Sequence, residues 1–107
     1  MSNATAMTAQ FEKISTGHFR IKGQLSFNSV HDLWQDHKQE LFEQQSDTLD
    51  IDFSQLSRSD SSGLALLLEW YREATQKGKT ITFSNLPEQM FHMVEICALD
   101  DFLPLKQ

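Results

Sequence analysis

Residues 49–78, LDIDFSQLSRSDSSGLALLLEWYREATQKG, decide how this chain folds. Leu49, Ile51 and Phe53 alternate with Asp50 and Asp52, the period of a strand with one buried face. Ser54 to Ser59 reads as a polar turn, after which Asp60-Ser61-Ser62-Gly63 opens directly into Leu64-Ala65-Leu66-Leu67-Leu68. That run, followed by Glu69-Trp70-Tyr71-Arg72, predicts a buried helix whose first turn projects from a strand–loop–helix junction. A helix start leaves backbone N–H groups unpaired at the positive end of the macrodipole, so the junction suits an anion, a phosphoryl group or a partner's carboxylate. Leu64, Leu67, Leu68 and Tyr71 form the expected buried stripe, and Gly78 after Lys77 is placed to end the helix in a left-handed conformation.

Upstream, Phe11 to Ser15 and His18 to Lys22 alternate on either side of Thr16-Gly17, which predicts a hairpin. Gly23 to Phe27 leads into Val30, Leu33, Trp34, His37 and Leu41, spaced as one helical stripe. This first helix is expected from about Ser29 to Gln44, with Asn28 or Ser29 as its cap. Downstream, Lys79 to Asn85 alternates around Ile81 and Phe83 as another strand. Leu86-Pro87 opens a third helix with Met90, Val94 and Cys97 on its apolar stripe, ending near Leu99. The tail from Asp100 to Gln107 holds Phe102, Leu103 and Leu105 around Pro104; it either packs back as a short strand or faces a partner. The fold class is therefore α/β: a mixed sheet of about four strands, antiparallel at the opening hairpin and parallel across the later crossovers, with helices packed mainly on one face. Met1 to Ala6 reads as an expression-tag remnant, and residues 7–107 as a single domain with no internal repeat.

With 39% hydrophobic and 22% charged residues, the composition is that of a folded globular chain. A net charge of −6 with nine scattered Lys and Arg argues against nucleic-acid binding. The longest apolar run, Leu64 to Leu68, is far too short to insert into a membrane, and no signal peptide is read. The single cysteine, Cys97, fits a reducing compartment, and a cytoplasmic location is expected.

Several chemical motifs fail on spacing. Gly78-Lys79-Thr80 matches the tail of a phosphate-binding loop, but Glu73 stands where its first glycine belongs and the order is helix then strand. Ser61 and Ser62 lack the Gly-x-Ser-x-Gly frame of a hydrolase elbow. His18, His31, His37 and His92 have no metal-ligand spacing; Asp50 and Asp52 share the open face of their strand, where Asp52 is positioned to bond loop amides. Neither a metal nor a cofactor is expected, nor is catalysis, because no two complementary catalytic groups assemble. What remains is Asp60-Ser61-Ser62-Gly63. Its plain role is structural: Asp60 or Ser61 caps the helix, and Gly63 lets the first turn pack closely. The functional reading is instead that Ser61 sits exposed at the helix start, able to receive a phosphoryl group or to touch a partner; the pattern alone favours the structural role.

The pattern Asp52-Phe53-Ser54-x-Leu56-x-x-x-Asp60-Ser61-Ser62-Gly63-Leu64 resembles the signature of the STAS domain family, with similarity from about Phe11 to Leu99. The family's fold, a sheet of about four strands with helices on one side, matches the arrangement above. Gly63 to Trp70, Gly23-x-Leu25-Ser26-Phe27 and Leu33-Trp34 are most similar to the branch of MlaB-type subunits. That resemblance implies a stand-alone, non-catalytic subunit that binds the ATPase of an ABC system moving phospholipid in Gram-negative envelopes, peripheral to the inner membrane. By carry-over, Asp60, Ser61, Ser62, Gly63 and the exposed side of the helix form the partner-binding surface. Trp70 lies off the expected stripe, and there it either anchors that interface or packs under the tail. Serines at 61 and 62 replace the threonine and small residue of some Mla members, which keeps a second branch open: an anti-sigma-factor antagonist whose Ser61 a partner kinase phosphorylates. A third class, binding of a small ligand, is also known in the family.

Overall fold

The computed structural model describes residues 9–43 and 46–106. The expected tag remnant and Gln44, the expected end of the first helix, lie outside the described residues. The elements run β1 (Ala9–Ser15), β2 (His18–Leu25), α1 (Phe27–Phe42), β3 (Thr48–Ser59), α2 (Ser61–Gln76), β4 (Thr80–Ser84), α3 (Glu88–Ile96) and β5 (Leu105–Lys106). They form one mixed sheet in the order β1-β2-β3-β4-β5. The β1–β2 hairpin is antiparallel and every other pairing is parallel, because each later strand is reached through a helix or a loop that crosses the sheet. The fifth strand is the tail itself, where Leu105 and Lys106 pair with Phe83 and Ser84 and Leu103 is buried.

Alternation decides the two faces. Phe19, Ile21, Leu49, Ile51, Phe53, Ile81 and Phe83 are buried beneath the helices. Arg20, Asp50, Asp52 and Thr82, one residue out of phase, are only half-buried on the other face. The helices share the first face, with α2 touching both α1 and α3.

The residues expected as a turn after Phe53 are strand. Ser54 to Ser59 extend β3 along β2, and the pairing slips by one residue between Arg20 and Lys22 and again between Gly23 and Gln24. Each slip places an extra residue on β3, so the buried positions become Phe53, Leu56 and Ser59, three apart instead of two. A period-two reading therefore fails along a real strand.

Capping accounts for the other shifted boundaries. The N-cap of α1 is Ser26, ahead of the expected Asn28 or Ser29, because the hydroxyl of Ser29 accepts from the Ser26 N–H at 2.8 Å and donates to the Gln24 carbonyl at 3.0 Å. At the end of α2, the N–H groups of Gly78 and Lys79 bond the carbonyls of Thr75 and Ala74, with Gly78 at φ +71. The same pattern ends α3 early: the N–H groups of Ala98 and Leu99 bond Glu95 and Val94, with Ala98 itself at φ +57. Cys97 consequently falls on the cap and is exposed instead of lying on the buried stripe.

Candidate functional site

The parallel strands β2 and β3 deliver their C-terminal ends, and hence the starts of α1 and α2, to the same edge of the sheet. The Asp60 N–H donates to the Leu25 carbonyl at 3.0 Å, which ties the two exits together. Asp60 is the N-cap of α2, and its carboxylate accepts from the Ser62 N–H at 2.8 Å while its carbonyl accepts from the Gly63 N–H at 3.0 Å. The buried Ser59 hydroxyl donates to that same carbonyl at 2.8 Å. Asp60 thus acts as the cap, satisfying donors that a helix start otherwise leaves open.

Asp60 and Ser61 are exposed and Ser62 is half-buried. Among the described residues, no imidazole or carboxylate hydrogen-bonds to the Ser61 hydroxyl. What Ser61 offers is an accessible hydroxyl on the first turn of a helix, suited to a partner contact or to modification.

Two of the expected contact residues sit elsewhere. Gly63 is buried: a Cβ there would collide with the Ser59 hydroxyl and come within 3.2 Å of Met90 Cε and 3.3 Å of Leu25 Cδ1. It lets α2 approach β2, β3 and α3 closely, and it is no surface contact. Trp70 is 0% exposed and stacks on Phe83 at 6.5 Å, so it cannot anchor a partner. The buried line of α2 is Gly63, Leu67, Trp70 and Ala74, with Leu64 and Leu66 beside it, while Leu68 and Tyr71 are half-buried flanks. Five consecutive apolar residues leave the phase of the helix undetermined by periodicity, and Gly63, where no Cβ fits beside Ser59, Met90 and Leu25, lies on the buried side.

Phe27 is the surface residue that sequence reasoning passed over. At 78% exposed it stands on the first turn of α1, beside α2. With Val30 and Trp34 it borders a groove of about 760 Å³ whose other wall carries Ser62, Ala65, Leu66 and Glu69. The signal was present as an apolar row at 27, 30 and 34, spaced three and four apart.

The open face of the sheet carries a separate polar network. Asp52 accepts from Ser54 N–H at 3.0 Å, Ser54 Oγ at 2.8 Å, Asn85 Nδ2 at 2.9 Å and Arg20 Nε at 3.3 Å. Burial pushes its carboxyl up, but the hydrogen bonds from Asn85, Ser54 and Arg20 outweigh that and hold it below its ordinary value. Asp50 lies beside it, 3.8 Å from His18 Nδ1. Among the described residues, no group of three or more His, Cys, Asp or Glu is arranged to hold a metal ion, and no helix is long and apolar enough to cross a membrane.

The family model described as "Mlab, STAS domain" matches residues 9–105. No curated protein matches by sequence. Among solved structures, a chain of the Acinetobacter MlaFEDB complex in its ATP-bound Vtrans2 conformation is similar at 28% identity and a TM-score of 0.73, covering 83% of this chain and 93% of that one. The unphosphorylated anti-sigma factor antagonist SpoIIAA is similar at 20% identity and a TM-score of 0.71, covering 94% and 89%. An anti-sigma factor antagonist from Mycobacterium paratuberculosis gives 19% identity and 0.73, covering 92% and 83%. At these identities the two antagonists share the fold alone.

Proposed function

Because the chain belongs to the Mlab STAS-domain family, we propose that it is the STAS subunit of an ABC-type phospholipid transport system that maintains outer-membrane lipid asymmetry. In this reading it is not an enzyme. It binds the system's ATPase, which it regulates or stabilises, and it lies on the cytoplasmic side, peripheral to the inner membrane through that complex. The observation that carries the reading is the 28% identity to a chain of the MlaFEDB complex over nearly that chain's whole length. The contact surface is the start of α2, where Asp60, Ser61 and Ser62 reach solvent, together with the exposed side of that helix. Gly63 supports this surface from beneath, and Trp70 has no part in it.

Co-purification of the tagged chain from its native cells tests the reading. Recovery of an ABC ATPase with an unmodified Ser61 is the expected result, and Ser61→Glu should weaken that binding. A second reading has its own support in the exposed Ser61 hydroxyl directly after Asp60. In it the chain is an anti-sigma-factor antagonist, and phosphorylation of Ser61 adds a charge of about −1.5 to −2 that breaks a partner complex. Recovery of a serine kinase, or a phosphorylated Ser61, would favour it over the first.

A further inference from the structure

The groove between α1 and α2 has a chemistry that selects its occupant. Phe27, Val30, Trp34, Ala65 and Leu66 supply its apolar lining, Asn28, His31 and Ser62 line it as polar groups, and its carboxylates are Asp32 and Glu69. Among the described residues, no Lys or Arg lines it. Lys38 lies over the Trp34 ring, 4.8 Å from its centroid, and Arg72 Nη2 donates to both carboxylate oxygens of Glu69, at 2.8 and 3.2 Å. Phe27 stands 78% exposed at the mouth, a large apolar side chain left in water on an otherwise polar turn.

Two occupants are disfavoured by charge. A second copy would bring its own Asp32, and a chain of net charge −6, against the Asp32 carboxylate. An anionic lipid surface would meet the same repulsion. A basic protein segment would not. We propose that this groove docks a partner segment in which an apolar side chain packs on Phe27 and Trp34 while a flanking Lys or Arg side chain pairs with Asp32, Glu69 being already paired with Arg72. The proposal rests on the functional reading above and deepens it: it extends the ATPase-facing surface from α2 across to the first turns of α1, and it assigns that ATPase a basic, apolar-centred docking segment.

The test titrates the full-length chain against the ABC ATPase of the proposed system, by calorimetry, as wild type and as Phe27→Ser, Asp32→Lys, Ser61→Glu and Ile96→Ser. Ile96 is 70% exposed on α3 and serves as an apolar control outside the groove. The expected result is that Phe27→Ser and Asp32→Lys each weaken binding by about tenfold or more, as central anchors do, with unchanged far-UV circular dichroism. Ile96→Ser should leave affinity unchanged. A photo-crosslinking residue at position 27 should join a Lys- or Arg-bearing apolar segment of the ATPase. If Ser61→Glu weakens binding while Phe27→Ser and Asp32→Lys do not, the docking proposal falls and the functional reading stands. If the wild type itself does not bind, both fall together. A crosslink from position 27 to a second copy of the chain, or to a segment without basic residues, also overturns the proposal.

Discussion

Replacing Gly63 with alanine tests how tightly the start of α2 is seated. The added methyl would collide with the Ser59 hydroxyl and press on Met90 Cε at 3.2 Å and Leu25 Cδ1 at 3.3 Å. The two hydrocarbon ends belong to flexible side chains that can yield a few tenths of an ångström. Ser59 has less freedom, because its hydroxyl is buried and donates to the Asp60 carbonyl at 2.8 Å. Displacing it loses a bond worth about 1 kcal/mol, and overpacking in such a site costs roughly 1–3 kcal/mol. Against this, alanine gains up to about 1 kcal/mol of helix propensity over glycine. The net expectation is a loss of about 2 kcal/mol. For a domain of this size that corresponds to a fall in Tm of roughly 10 °C. Urea titration at neutral pH should show a lower midpoint with an unchanged slope. Ser59→Ala added to Gly63→Ala removes the obstructing oxygen, so the double variant should lie within about 1 kcal/mol of Ser59→Ala alone. A Gly63→Ala protein as stable as wild type would refute the close-approach argument; a double variant that recovers nothing would show that Ser59 is not the obstruction.

Other expectations follow from the same geometry. Trp70→Ala should cost roughly 4 kcal/mol in urea unfolding, as removal of a buried tryptophan does; Trp70→Phe should cost far less, because it also removes a buried Nε1–H that has no acceptor among the described residues. Ala98→Gly should raise stability by about 1 kcal/mol, since Ala98 sits at φ +57 where glycine is unstrained, and no gain in midpoint would count against that. The lowered Asp52 carboxyl contributes stability that is present above its unfolded value, about 3.9, and is lost as pH falls through its lower folded value. Asn85→Gly keeps the φ +59 backbone accessible but removes the strongest single hydrogen bond lowering Asp52. The dependence of the urea midpoint on pH between about 5 and 3 should then flatten, and an unchanged slope would exclude Asn85 as its source.

Much of the architecture was legible because local chemistry and global fold agree. The hairpin around Gly17, the strand at Leu49 to Phe53, a helix cap at Asp60 or Ser61 and the Gly78 terminus each follow from residues within one turn of the chain, and each is found, with Asp60 as the cap. The Ser54 to Ser59 segment was read as turn because two slips in pairing with β2 convert its buried spacing from two to three, and nothing in β3 alone reports what its neighbour does. The exposed Cys97 shows the same limit, since the left-handed Ala98 that ends α3 is a residue with no intrinsic preference for that conformation.

The sequence by itself determined that a capped helix starts at Asp60 or Ser61, because a cap is set within four positions of the chain, and the structure chose Asp60, which leaves Ser61 on the first turn. Only the tertiary structure decided which side of that helix is buried. Between Leu64 and Leu68 every position is apolar, so periodicity carries no phase; the buried line runs through Gly63, Leu67, Trp70 and Ala74, and at Gly63 the side chains of Ser59, Met90 and Leu25 fill the space a Cβ would take. That rotation put Trp70 in the core, left Ala65 and Glu69 facing outward, and brought them opposite Phe27 on a helix more than thirty residues earlier in the chain.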